Sequence, residues 1–260
     1  MFWTRPSNEQ MTNSRAKPPR AASALRPLPG GQDSGRAVPG YPLFAVFDCD
    51  GTLVDTHASI VHCMSLAFEA AGRPKPAPAA IRATIGLPLR EGVRELLPDG
   101  DEHIRARIVT AYREAFFDTR RFERIDEPLF PGIADLLDAL ESQGVILGIA
   151  TGKIERALNM TLERHGLLGR FATRQTADHG PGKPDPAMLV RAMAAVGAAP
   201  ARTVMIGDSH YDIRMGKSAG TAAVGVVWGQ NDADELARAG ADFVARAAGE
   251  ILDWLSARNG

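Results

Sequence analysis

Short apolar runs recur along the chain, at residues 43–47, 145–150, 203–206 and 222–227, and the first of them stops at an acid, Asp48. Each is far below the roughly 18 residues that suggest a membrane span, and each reads as a buried strand. Between them the period changes. In residues 132–142, Ile133, Leu136, Leu137 and Leu140 fall at i, i+3, i+4 and i+7, which places them on one helix face. Strands alternating with helices in this way predict an α/β fold, a doubly wound, Rossmann-like parallel sheet covered on both sides by helices.

One stretch breaks the alternation. Residues 57–126 carry helical patterns, such as Ile104, Ile108 and Ala111, but no strand-like run. This strand-free stretch of about 70 residues lies between the first two strands, far more than a simple crossover needs. The expectation is an inserted α-helical cap domain over 57–126, with a core domain built from 41–56 and 127–260 and re-entered near Leu129-Phe130-Pro131-Gly132. Ligands of an open parallel sheet sit outside the carboxyl ends of its strands. An insertion leaving just after the first strand hangs over that edge and can act as a lid.

Residues 1–40 hold Pro6, Pro18, Pro19, Pro27, Pro29 and Pro39, six basic residues and two acids, with no apolar period. Such a segment cannot bury enough surface to offset its ordering entropy, and a disordered N-terminal extension is expected. An Arg-rich, acid-poor start also suits an organelle transit peptide, and translation starting downstream would remove the segment.

Charge changes the picture by exclusion. Across 260 residues, 30 Lys and Arg stand against 31 Asp and Glu, a formal net charge of -1, so no global positive field exists to hold nucleic acid or an anionic membrane. Any phosphate must be bound by a local site. Cys49 and Cys63 are too few for a disulfide framework and lack metal spacing, which fits a reducing cytoplasm. Cys63, on an apolar helical stretch, reads as core packing.

Four polar elements sit at predicted strand tips. The first strand runs into Asp48-Cys49-Asp50-Gly51-Thr52, where two carboxylates two apart converge only if the backbone curls; an acidic turn would look the same. Ile149-Ala150 runs into Thr151-Gly152-Lys153, whose hydroxyl either caps a following helix or joins its free amides in an anion site. Gly182-Lys183-Pro184-Asp185-Pro186 puts a lysine in a stiff loop, where a lone lysine is commonly a solvated charge. Ile206-Gly207-Asp208 delivers an acid, with Asp212 four residues on, facing the same side if a helix begins there. Such acids suit a helix N-terminus and equally suit magnesium, which selects hard oxygen ligands.

Taken in order, D-x-D-G-T, T-G-K, G-K-P and G-D-x-x-x-D resemble the haloacid dehalogenase-like superfamily over about residues 43–257. The helical insertion after the first motif resembles that of its phosphoglycolate phosphatase-like branch. The resemblance implies an Mg2+-dependent phosphomonoester hydrolase acting on a small phosphorylated metabolite through an aspartyl phosphate. It implies Asp48 as nucleophile, Asp50 as acid and then base, Thr151 and the Gly152 amide on phosphoryl oxygens, and Lys183 on nucleophile and phosphate together. Magnesium would be held by Asp48, the Asp50 main-chain carbonyl, Asp208 and Asp212. The dehalogenases lack an acid two residues after the nucleophile, so Asp50 sets them aside, because departure of an alkoxide benefits from a proton donor. Cys49 replaces a larger apolar residue, a departure expected to touch packing alone.

Rival readings are β-phosphoglucomutase-like phosphoryl transfer, pyrophosphate hydrolysis on the same fold, and a non-catalytic phosphate binder, which would not need an acid at 50. Substrate choice would rest on the cap, around residues 84–90, where Arg90 either reads a substrate carboxylate or is an exposed helix arginine. His179 and His210 lie beside the motifs and within possible reach of a substrate, while His57 and His62 lack the spacing of a helical metal pair. Gly216-Lys217-Ser218 ends like a P-loop, but Tyr211 stands where the glycine must be. Nothing fixes the oligomeric state.

Overall fold

The computed structural model describes residues 43–122 and 126–259, so the N-terminal extension expected over 1–40 lies outside the described residues. Its centre is a six-stranded parallel sheet in the order β3-β2-β1-β4-β5-β6. The strands are β1 (Phe44–Phe47), β2 (Ile146–Ala150), β3 (Thr173–Gln175), β4 (Thr203–Gly207), β5 (Ala222–Val226) and β6 (Phe243–Ala245). β1 pairs with β2 on one side and β4 on the other, Phe47 lying level with Ile149 and Ile206. The chain thus winds outward in two directions from β1, the doubly wound arrangement, and the switch point falls where the strand order reverses.

Why these segments are strands follows from their burial. All four residues of β1 and all five of β4 are buried, as sheets covered on both faces require. One face carries Ala45, Phe47, Leu147, Ile149 and Ile206 against α5 (Ile133–Ser142), α6 (Glu155–Arg164) and α10 (Ala248–Asn259). The other packs Phe44, Val46 and Met205 against Met188, Leu189 and Ala192 of α7 (Ala187–Val196) and Met215 of α8 (His210–Ser218). In α5 the buried residues are Ile133, Leu136, Leu137 and Leu140, the stripe read from the sequence. Each such side chain, fully buried, contributes about 1.5–3 kcal/mol. β3 and β6 escaped the sequence reading because each has three residues, and β3 reads Thr-Arg-Gln at the sheet edge.

Between β1 and α5 the described residues form α1 (His57–Ala70), α2 (Pro78–Ala83), α3 (Leu89–Leu96) and α4 (Glu102–Phe122). They share their own apolar cluster, built on Met64, Phe68, Ile81, Val93 and Ile108. A second, smaller cluster ties this layer to the sheet layer: Cys63 of α1 and Phe116 of α4 meet Ala157 of α6. Cys63 is fully buried there and is a packing residue. No helix among the described residues is long and apolar enough to cross a membrane.

Candidate active site

The tips of β2, β1 and β4 lie side by side, so polar residues just beyond them converge. After β1 the backbone folds back on itself: the Leu53 and Val54 amides both donate to the Cys49 carbonyl, and the Gly51 amide donates to the Val54 carbonyl. Gly51 has φ +77, and a Cβ there would sit 2.2 Å from Asp208 Oδ2, so glycine is required twice over. The curl carries Thr52 to Asp208, where its hydroxyl donates to Oδ1 at 2.8 Å. The Gln230 amide donates to Asp208 Oδ2 at 2.8 Å, which leaves the Asp208 carboxylate oriented from both sides.

Lys183, 2% exposed, lies between two acids. Its Nζ is 2.8 Å from Asp48 Oδ1 and 2.6 Å from Asp212 Oδ1. Asp48 Oδ1 also accepts from the Cys49 amide at 2.6 Å. Asp212 is the N3 residue of a capping box: its Oδ2 accepts from the Ser209 amide at 3.1 Å and from the Ser209 hydroxyl at 2.6 Å. Helix cap and charge partner are therefore one residue, each role using a different oxygen.

Burial sets the electrostatics. It pushes the Asp48 carboxyl up to about 7, with the charges of Asp212 and Asp50 adding to the rise and Lys183 opposing it. It likewise lifts Asp208 well above the ordinary carboxylate range, again with Asp212 and Asp48 adding. For Lys183 burial alone would lower the pKa, but Asp212 and Asp48 outweigh it and drive the amine upward. One oxygen from each of Asp48, Asp208 and Asp212 lies within 4.8 Å of the others. When all three are ionised, three buried carboxylates against one ammonium leave surplus negative charge, which is costly without a further cation. An all-oxygen set of this kind fits a hard divalent ion such as Mg2+.

Asp50 is held separately. Its Oδ1 accepts from the Thr56 hydroxyl at 2.6 Å and pairs with the ammonium of Lys153. Neither partner had a role in the sequence reading. Lys153 is the last letter of T-G-K and is 8% exposed, an unusual burial for lysine that only the fold reveals. Thr56 precedes α1 and reaches Asp50 through the curl of the loop, which no sequence period marks.

Thr151 is placed differently from one of its two expected readings. Helix α6 begins at Glu155 with Ile154 as its N-cap and no side-chain cap, so Thr151 caps nothing. Its hydroxyl instead accepts from the Lys153 amide at 3.3 Å, and Asp178 accepts from the Glu155 amide at 2.7 Å.

Asp48, Asp50, Thr151, Gly152 and Lys153 form one side of an open cleft of about 100 Å³. The other side comes from α1, from α4 and from the loop joining α2 to α3, where Thr84, Ile85, Gly86 and Leu87 all line it. A Cβ on Gly152 would lie 2.7 Å from the Leu87 carbonyl oxygen, so this glycine admits the loop to the site. Gly152→Ala is expected to displace that loop and lower kcat/KM by about 100-fold, as an ångström-scale misplacement does; steady-state phosphate release with wild-type kinetics would refute it.

Arg90 is exposed and does not line the cleft; Arg113 of α4 does. His179 and His210 do not line it either. His179 meets the Thr176 hydroxyl and His210 bonds Asn231.

Residues 45–226 match the haloacid dehalogenase-like hydrolase family. The chain is 37% identical over 210 residues to Probable phosphatase IndB of Dickeya dadantii, covering 80% of this chain and 90% of that protein. It is 30% identical over 213 residues to pyrophosphatase PpaX of Anoxybacillus flavithermus, covering 81% and 95%. A predicted phosphoglycolate phosphatase from Haemophilus somnus has the same fold, with a TM-score of 0.74 at 22% identity over 82% of this chain and 97% of that one. The chain belongs to the haloacid dehalogenase-like hydrolase family and is an enzyme of its phosphatase type.

Proposed function

We propose that this enzyme hydrolyses the phosphomonoester of a small phosphorylated metabolite, with Asp48 as nucleophile. The observation that carries this reading is the buried ammonium of Lys183, 2.8 Å from Asp48 and 2.6 Å from Asp212. A carboxylate approaches an anionic phosphate only if cations offset the repulsion, and phosphoryl transfer asks the protein chiefly for positioning and such offset.

In the first step an Asp48 oxygen bonds to phosphorus as the ester P–O bond breaks, and Asp50 gives its proton to the departing oxygen. Thr151 and the Gly152 amide hold phosphoryl oxygens. Lys183 neutralises charge shared between Asp48 and the phosphate. In the second step Asp50 takes a proton from water as that water attacks phosphorus, freeing Asp48 and inorganic phosphate. Thr56 and Lys153 fix the carboxyl group of Asp50 for both transfers. Asp48, Asp208, Asp212 and the Asp50 carbonyl would hold Mg2+, which, when bound, supplies positive charge to the phosphoryl oxygens. The helices over 57–126 act as the cap that covers the reaction, in a cytoplasmic enzyme.

The test is incubation with acetyl phosphate and Mg2+, acid quench, and mass spectrometry of the peptide containing Asp48. A phosphoryl adduct on Asp48 is expected; an adduct elsewhere, or none with phosphate still released, would overturn the route. Asp50→Asn is expected to slow phosphate release by about 10²–10⁴-fold, the usual loss of a general acid–base group, and to let the adduct accumulate from acetyl phosphate. Unaltered turnover would sink that role. Pyrophosphate hydrolysis is a second reading, favoured by the likeness to the Anoxybacillus pyrophosphatase.

A further inference from the structure

The cleft that opens over Asp50 is walled largely by carbon. Ile60 and Met64 of α1, Leu87 of the α2–α3 loop, and Tyr112, Phe116 and Phe117 of α4 all face it. The rings form a continuous surface: Tyr112 and Phe116 stack at 6.1 Å between centroids, and Phe116 meets Phe117 edge-on at 5.5 Å. Lys153 and Arg113 are the cations that line the cleft. Lys153 is committed to the Asp50 carboxylate and lies 5.6 Å from the Phe116 ring centre. Arg113 is exposed, so its charge stays hydrated and an ion pair there is worth little.

On the phosphatase reading above, the leaving group must extend from the ester oxygen beside Asp50 into this space. Two leaving-group chemistries can be compared. The second phosphate of pyrophosphate, or the carboxylate two bonds from the ester oxygen of phosphoglycolate, would bring anionic oxygens against apolar walls and next to the acid at 50. Desolvating a charge without matching partners is strongly unfavourable. A hydrocarbon body instead gains by leaving water, and rings gain further from edge and face contacts.

We infer that the preferred substrate is an organic phosphomonoester whose leaving alcohol carries an apolar, ring-sized body that packs on Tyr112, Phe116 and Phe117. These three residues then determine specificity, and the acids beneath them do not.

The inference rests on the phosphomonoesterase reading, and the test separates the two. Values of kcat/KM are measured on the full chain with Mg2+ for 2-phenylethyl phosphate, ethyl phosphate, phosphoglycolate and pyrophosphate. The first two release alcohols of similar acidity, so their ratio reports contact with the walls. The ring is expected to raise kcat/KM by about 30-fold over the ethyl ester, within the range that apolar pockets discriminate. Phosphoglycolate and pyrophosphate are expected to fall below 2-phenylethyl phosphate.

Phe116→Ala and, separately, Phe117→Ala should reduce the ring-to-ethyl ratio to a few-fold. Reading both esters within each variant cancels any loss of folded protein. A ratio near one in the wild type, an unchanged ratio in both variants, or faster turnover of phosphoglycolate or pyrophosphate would overturn the inference. Silence toward all four with a phosphoryl adduct from acetyl phosphate overturns it alone; silence with no adduct overturns the phosphatase reading as well.

Discussion

Asp48→Asn is expected to abolish turnover, by about 10⁴-fold or more, while the protein stays folded. On the proposed route Asp48 is the covalent nucleophile, whose loss removes the step itself, and effects of that order are usual for such residues. The fold should tolerate the change because the amide fills the same volume. Its oxygen can still accept from the Cys49 amide, and Lys183 keeps Asp212, 2.6 Å away. Stability has a pH signature of defined sign. A carboxyl whose pKa rises from 3.8 in the unfolded chain to about 7 in the fold favours folding below pH 3.8 and loses that contribution as pH rises through 7. In EDTA, wild-type stability should therefore fall relative to Asp48→Asn between about pH 4 and 8. Urea unfolding at both ends of that window, alongside phosphate release, checks the two halves. Retained turnover, or the opposite slope, would contradict the role given to Asp48.

Lys183→Met should strongly destabilise the metal-free fold. It leaves Asp48, Asp208 and Asp212 buried together with no lysine among them. Breaking a buried pair from one side leaves uncompensated charge and costs about 3–5 kcal/mol. Mg2+ should restore part of this stability, because a ligand that binds only the folded state adds to it by mass action. On the proposed route activity should not return, since the ammonium would also neutralise the phosphate. Denaturation midpoints with EDTA and with Mg2+, for variant and wild type, supply the comparison. A variant as stable as wild type in EDTA would show that the three acids do not depend on this lysine.

The parts of the fold legible in the sequence are those written as long, one-sided patterns. β1, β2, β4 and β5 are apolar runs because both sheet faces are covered, and α5 shows a clean stripe because one face packs on the sheet. β3 was hidden by its polar letters at an edge, where a strand of three residues gains little from burial. The site was legible to the extent that chemistry sits immediately after a strand. Asp48, Thr151 and Asp208 follow strand ends directly, so identifying the strand located the residue. Thr56 and Lys153 depend on how a loop curls and which way a side chain turns, and nothing in residue spacing encodes either. Arg90 and Arg113 show the same limit on the helices: both are exposed arginines, yet tertiary packing alone decides which borders the cleft.

The division of labour within Asp212 couples two things that proteins usually keep apart. Fraying of the first turn of α8 would swing away one of the two carboxylates that hold Lys183, so on the proposed route a local opening there would also weaken the enzyme's readiness to react. The beginning of that helix is thus tied to the candidate site through one side chain, and its opening would loosen the lysine as well as the helix.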